Sequence, residues 1–135
     1  MPRIGICIKS EKKQVVEFLL ELHRIVDSKD FDLNKHFFLS RKPKEEMCFS
    51  TKFAMADLDY DNSDVIERLR ELTVADYSQT LFDRDDDNPP LLFVFGKSIN
   101  GREVYIKLKI RGEETKRILC VSFHYAKYKM NYPYA

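Results

Sequence analysis

Apolar residues recur at intervals of three and four near the start of the chain, which is the spacing of one face of an α-helix. The pattern predicts a helix over residues 9–27 with Ser10 as its N-cap. Its apolar stripe comprises Val15, Val16, Leu19, Leu20, Leu22 and Val26. A stripe of this width needs a second layer to pack against, so we expect the helix to cover a core.

A second helical pattern follows in the middle of the chain, where Asn62 or Ser63 can cap the first turn. The apolar residues that fall on one face of this helix are Val65, Ile66, Leu69 and Leu72. The sequence therefore predicts two amphipathic helices ahead of the most apolar part of the chain.

The segments around these helices are less regular. Phe37–Leu39 is a candidate short strand, and residues 50–56 are a candidate short helix. Residues 76–90 combine turn-forming residue types with no periodicity, which predicts a loop.

Three apolar-rich runs separated by turn signals predict an antiparallel β-meander. The runs are residues 91–96, 102–110 and 118–124. The dipeptide Asn100-Gly101 is typical of a two-residue hairpin turn, since both positions require positive φ. This turn pairs Gly96 with Tyr105 and Phe95 with Ile106. Helices followed by such a meander predict an α+β fold with N-terminal helices packed on a C-terminal antiparallel sheet, within one domain over residues 1–135.

The alternation of side chains along a strand predicts the register of the second hairpin. The residues expected to share its buried face are Val104, Ile106, Leu108, Ile110, Leu119, Val121 and Phe123. That parity places Ile106 opposite Phe123 and Leu108 opposite Val121. On the other face it places Tyr105 opposite His124 and Lys107 opposite Ser122.

Composition narrows the class of protein. The chain has 135 residues, of which 44% are hydrophobic and 33% charged, as expected for a globular protein with a sizeable core. No apolar run is long enough for a membrane span, and the first residues do not resemble a secretory signal. Three cysteines without a CxxC pair favour a reducing, cytoplasmic setting and predict no zinc site.

The net charge of +1 hides an asymmetry along the chain. Residues 57–87 are strongly acidic and residues 97–129 strongly basic, and a basic half can bind an anion. The alternative is that the two halves attract each other or are evenly solvated.

Tyr105, Lys107 and His124 form the most informative set of polar residues. Cleaving RNA without a metal ion requires a base for the ribose 2′-OH, an acid for the leaving 5′-oxygen, and a cation near the phosphate. These three residue types can fill those roles, and Gly96 beside Tyr105 would leave room for a backbone to approach. The alternative is a solvated sheet face with an incidental tyrosine.

Two further segments have candidate functions. The acidic run Asp83, Asp85, Asp86 and Asp87 could bind a divalent cation, but it lacks the spaced ligands of a calcium loop, which favours a solvated loop. The tail interleaves bases and aromatics in Tyr125, Lys127, Tyr128, Lys129, Tyr132 and Tyr134. Such a tail could stack on unpaired RNA bases, or its tyrosines could pack over the domain as an arm.

The strings FVFGKSINGREVYIKLKI and CVSFHYAKYKMNYPY resemble the MqsR-type toxins of bacterial type II toxin–antitoxin systems. The upstream segment FAMADLDYDNSDVIERLRELTVADYSQT is similar as well, so the resemblance covers roughly residues 49–134. It implies a RelE-like α+β fold and a metal-independent endoribonuclease that cuts mRNA, inhibits translation and is restrained by an antitoxin. No cofactor is implied.

The resemblance also implies roles for individual residues. Tyr105 and Lys107 match the V-Y-x-K motif of the family, whereas His124 stands where the family has a lysine after V-S-F. Gln79 replaces the lysine of a D-x-x-K segment, and a glutamine of the first strand falls near Val94. The predicted catalytic residues are Tyr105, His124 and Lys107, and the predicted RNA-binding residues are Gln79, Lys97, Lys109, Tyr125 and Lys127. Because several positions depart from the family pattern, a non-catalytic RNA- or protein-binding module of the same fold is the alternative.

Overall fold

The fold is α+β: short helices cover one face of a six-stranded, mostly antiparallel sheet with the strand order β1-β3-β4-β5-β6-β2. A computed structural model describes residues 7–43, 46–82 and 91–135. The strands are β1 (Cys7–Ile8), β2 (Phe37–Leu39), β3 (Tyr77–Leu81), β4 (Leu92–Ile99), β5 (Arg102–Arg111) and β6 (Arg117–Tyr125). The helices are α1 (Lys12–Val26), α2 (Leu33–His36), α3 (Thr51–Leu58) and α4 (Asn62–Arg70), with 3-10 turns at Met47–Phe49 and Val74–Asp76.

Helix α1 begins later than predicted because Ser10 is not its N-cap. The N-cap is Glu11, whose backbone N–H donates to the Gln14 side chain at 2.9 Å. Ser10 is instead buried, and its hydroxyl lies 2.7 Å from the Thr80 hydroxyl. The buried stripe is also narrower than predicted, since Val16 and Leu20 are exposed.

Helices α3 and α4 confirm the middle of the predicted pattern. Ser50 caps α3 by accepting a hydrogen bond from the Phe53 amide. Asp61, and not Asn62 or Ser63, is the N-cap of α4. Its carboxylate accepts hydrogen bonds from the backbone amides of Ser63 and Asp64. The predicted apolar residues are all buried: Val65, Ile66 and Leu69 on α4, and Leu72 just after the helix ends.

The meander and its first hairpin are confirmed. Gly96 pairs with Tyr105 and Phe95 with Ile106, and both turn residues have positive φ: 51° at Asn100 and 80° at Gly101. The predicted pairs of Tyr105 with His124, Ile106 with Phe123 and Lys107 with Ser122 are present as well. Tyr105, Lys107 and His124 therefore lie on the face of the sheet that the pleat predicts.

A β-bulge overturns one part of the predicted register. The pairing of β5 with β6 shifts after Lys107, so Leu108 lies opposite Cys120 and not Val121. The extra residue reverses the parity of the first half of β6. Ile118 and Cys120 are consequently buried, while Leu119 and Val121 are only half-buried.

Residues 77–81 form a strand where the sequence predicts a loop. Strand β3 lies inside the sheet between β1 and β4, and Tyr77 and Thr80 are completely buried in it. Their hydroxyls lie 2.6 Å apart, and the Tyr77 hydroxyl also accepts from the Ser10 amide at 2.8 Å. This closed set of hydrogen bonds removes the cost of burying polar residues, so tertiary contacts override the local signal.

The predicted short strand Phe37–Leu39 is confirmed and pairs in parallel with the beginning of β6. The acidic run of residues 83–87 lies outside the described residues. In the described parts of the chain, we find no helix with the length and apolar character needed to cross a membrane.

Candidate active site

A cleft of about 390 Å³ opens on the sheet face that the helices do not cover. Its walls are formed by Ser78, Gln79, Tyr105, Lys107, Ser122 and His124 and by residues 126–131 of the C-terminal arm. The Tyr105 and His124 rings stack across the strand pair, with centroids 5.1 Å apart and planes inclined by 11°. The structure therefore brings together the three predicted catalytic residues, with Gln79 and Lys127 of the predicted RNA-binding set.

Hydrogen bonding orients the His124 ring. Its Nδ1 lies 3.0 Å from the backbone carbonyl oxygen of Tyr125. A carbonyl oxygen only accepts hydrogen bonds, so Nδ1 carries the proton that it donates. In the neutral ring Nε2 then holds the lone pair, and this nitrogen is the one suited to remove a proton.

The pKa of the Tyr105 hydroxyl is raised above its ordinary value. Burial raises this pKa, the hydrogen bond with the Gln79 side chain opposes that shift, and the nearby Cys7 adds to it. Gln79 is itself held in place, because its Oε1 accepts a hydrogen bond from the Cys7 thiol at 2.8 Å. Gln79 thus connects Tyr105 to strand β1 at the edge of the sheet.

Only some of the lysines predicted to bind RNA or phosphate line the cleft. Lys107 and Lys127 line the cleft, and a hydrogen bond with Glu46 raises the pKa of Lys127. Lys109 follows on the same face of β5 and is buried, with 7% of its surface exposed.

Lys97 lies on the opposite face of the sheet, opposite Val104, and does not contribute to the cleft. Its ammonium is 3.9 Å from a Glu71 carboxylate oxygen and 4.0 Å from one of Asp76. The predicted role of Lys97 at the RNA site is therefore not supported by its position, because the strand pleat turns it towards the helical layer.

Tyr125 also faces away from the cleft, contrary to the prediction that it binds RNA. It is buried opposite Val104, its hydroxyl donates to Asp57, and the Arg102 guanidinium lies 3.6 Å from its ring centroid. The residue directly after His124 must point to the other side of the strand, which explains this placement.

Some tyrosines in the rest of the tail pack over the domain, and one is exposed at the cleft where a base could stack on it. The Tyr134 hydroxyl donates to the Ser10 carbonyl at 2.6 Å, and its ring stacks on Tyr77. Tyr132 packs over Gly96, where an added Cβ would lie 2.1 Å from the tyrosine hydroxyl. The space above Gly96 thus belongs to the arm and not to a ligand. Tyr128 differs from these, since it lines the cleft and is 76% exposed.

Glu103 holds the C-terminal arm against β5 through hydrogen bonds, and it was not predicted as a site residue. Its carboxylate accepts hydrogen bonds from the Met130 amide at 3.1 Å and from the Tyr132 hydroxyl. Its backbone carbonyl accepts from the Ala126 amide at 2.9 Å. The only sequence signal for this role is parity, because Glu103 lies two residues before Tyr105 on the same face of β5. Ser78 and Asn131, which also line the cleft, carry no comparable signal.

Within residues 7–43, 46–82 and 91–135, no group of three or more His, Cys, Asp or Glu side chains is placed to hold a metal ion. The described lining of the cleft instead combines one imidazole, two phenols, two amides and three ammonium groups. Comparison of the chain with protein-family models, with curated proteins and with solved structures found no match.

Proposed function

We propose that this protein is an MqsR-type toxin of a type II toxin–antitoxin pair: a metal-independent mRNA endoribonuclease that inhibits translation. The observation that carries the proposal is the stacked pair of Tyr105 and His124 beside Lys107 in one cleft. The α+β architecture, with helices on one face of a mostly antiparallel sheet, agrees with the RelE-like fold that the sequence resemblance implies.

The chemistry follows from the two proton-transferring groups. His124 Nε2 removes the proton from a ribose 2′-OH, and the 2′-oxygen attacks the adjacent phosphorus. The P–O5′ bond then breaks, and Tyr105 donates its proton to the departing 5′-oxygen. The products are a 2′,3′-cyclic phosphate and a free 5′-hydroxyl. Tyr105 has this proton to give, because a tyrosine hydroxyl is protonated at neutral pH and burial raises its pKa further.

Charge and stacking complete the proposed site. Lys107 stabilises the negative charge that builds on the phosphate oxygens, and Gln79 holds the Tyr105 hydroxyl in line. Tyr128 offers an exposed aromatic face at the edge of the cleft, on which an unpaired base can stack. The partners under this proposal are mRNA and a cognate antitoxin protein.

A non-catalytic binding module of the same fold remains the second candidate. The observation in its favour is that Gln79 and His124 stand where the family has lysines, while exposed Tyr128 and the basic Lys127 suit binding without chemistry. Under this alternative the cleft would hold RNA or a protein and release it unchanged.

The deciding experiment incubates the purified protein with labelled single-stranded RNA in the presence of EDTA. Under the proposal the RNA is cut, and the products carry 2′,3′-cyclic phosphate and 5′-hydroxyl ends. Lys107→Ala should slow cleavage through lost phosphate stabilisation, and Tyr105→Phe should slow it by removing only the hydroxyl. Salt-sensitive binding with no cleavage would favour the binding module. Activity that vanishes in EDTA and returns with magnesium would reject the metal-free mechanism.

A further inference from the structure

A second cleft, of about 510 Å³, adjoins the first. Its own walls are residues 7–9 at the start of the described chain and residues 132–133 of the arm. Ser78, Gln79 and Asn131 line both clefts, so the second cleft lies next to the first on the side of strand β1. The size of the second cleft lies within the usual range for small-ligand sites.

The shared wall is rich in groups that can read a nucleobase. Asn131 is exposed, and Gln79 and Ser78 are half-buried beside it. Amide side chains offer a donor and an acceptor side by side and pair with the edge of a base in a way that a differently patterned base cannot match. The Gln79 amide is already engaged with Cys7 and Tyr105, which leaves the Asn131 amide as the group best placed to select a base.

We infer that the second cleft holds the nucleobase next to the scissile phosphate, and that Asn131 is the residue that selects it. This inference rests on the proposed endoribonuclease function. An RNA strand cut between Tyr105 and His124 has to extend beyond the first cleft, and the path past Gln79 leads to the second cleft, which adjoins it there. Lys9 lies on the far wall of that path and supplies a cation for the following phosphate.

The first test compares cleavage patterns on a pool of single-stranded RNAs with randomised sequence. Asn131→Ala should reduce the preference at one position beside the cut by about 10-fold, the effect of losing one paired base contact. The preference is compared at equal extents of cleavage, so that a change in the total rate does not enter the comparison. Asn34→Ala, an exposed asparagine on α2, is the matched control and should leave the pattern unchanged.

The second test uses Cys7 as a reporter of occupancy. In a Cys48→Ser background Cys7 is the exposed thiol, because Cys120 is buried. A single-stranded oligonucleotide made uncleavable by 2′-O-methylation should slow alkylation of Cys7 at least several-fold. A double-stranded DNA of the same length, which cannot present unpaired bases, should not.

The outcomes separate this inference from the proposed function. Cleavage by the native protein with an unaltered pattern in Asn131→Ala would overturn the base-selecting role and leave the endoribonuclease intact. If the oligonucleotide binds tightly but does not slow alkylation of Cys7, the second cleft does not hold the base. A native protein that neither binds nor cuts RNA would overturn both.

Discussion

The two faces of the central strands differ in their surroundings: one packs against the helices and the other carries the cleft. Alternate residues of the same strand lie on the two faces. On β5, Val104, Ile106 and Leu108 are completely buried towards the helices. Tyr105, Lys107 and Lys109, interleaved with them, lie on the face that carries the cleft. One face stabilises the fold and the other carries the proposed site, so substitutions on the two faces should have separable effects on stability and on RNA cleavage.

The largest effect is expected from His124→Ala on the cleft face. Loss of general acid–base catalysis should lower RNA cleavage by about 10²–10⁴-fold. The unfolding midpoint in urea should hardly move, since the ring lies on the face away from the core. His36→Ala, before β2 at the far end of β6, is the control and should cleave normally. Full activity in His124→Ala would reject its catalytic role.

Phe123→Ala, one residue earlier and on the core face, should lower stability, which His124→Ala should leave nearly unchanged. Phe123 is completely buried, so truncation should lower the free energy of unfolding by about 3–5 kcal/mol. Phe38→Ala removes the same atoms from a side chain that is 61% exposed and should cost less than about 0.5 kcal/mol. Equal losses in the two variants would contradict the assignment of the faces.

Cys120, on the core face, should make the stability of the protein decline at alkaline pH. Burial raises the pKa of this thiol from 9.0 to about 12. The folded state therefore retains a proton that the unfolded chain releases, so stability from this group is complete below pH 9 and is lost between pH 9 and about 12. Denaturation between these limits should show a decline of about 1.4 kcal/mol per pH unit from this group. A Cys120→Ala variant whose stability declines as steeply as that of the native protein would refute this origin.

The smallest effect is expected where the arm meets the cleft face. Glu103→Ala removes the acceptor for the Met130 amide and the Tyr132 hydroxyl, which should lower stability by about 1–3 kcal/mol. Cleavage should fall as well, because residues 126–131 form a wall of the cleft. Glu103→Gln keeps an acceptor and should fall between Glu103→Ala and the native protein. Glu113→Ala, at an exposed position after β5, should match the native protein in both measurements.

Periodicity and turn chemistry carried the prediction where interactions are local. The Asn100-Gly101 turn sets its own register, and the parity of β5 and the end of β6 placed Tyr105 opposite His124 without any knowledge of the fold. The bulge after Lys107 breaks parity by one residue and has no local signature, so Val121 was assigned to the wrong face.

Strand β3 was missed because its stability comes from distant partners. Tyr77 and Thr80 are polar residues made compatible with burial by Ser10, nearly 70 positions earlier in the chain. Gln79 gains its site role in the same way, through Cys7. Local sequence patterns do not report such pairings, since neither partner is unusual within its own segment.

The bond between the Tyr134 hydroxyl and the Ser10 carbonyl has a kinetic consequence. It joins residues 124 positions apart, and closing so long a segment requires most of the intervening chain to be ordered first. The cleft takes its walls from β3, β5, β6 and the arm, so a partly folded chain does not present it. Under the proposed function, RNA cleavage should therefore appear together with the native state and not in a partly folded chain.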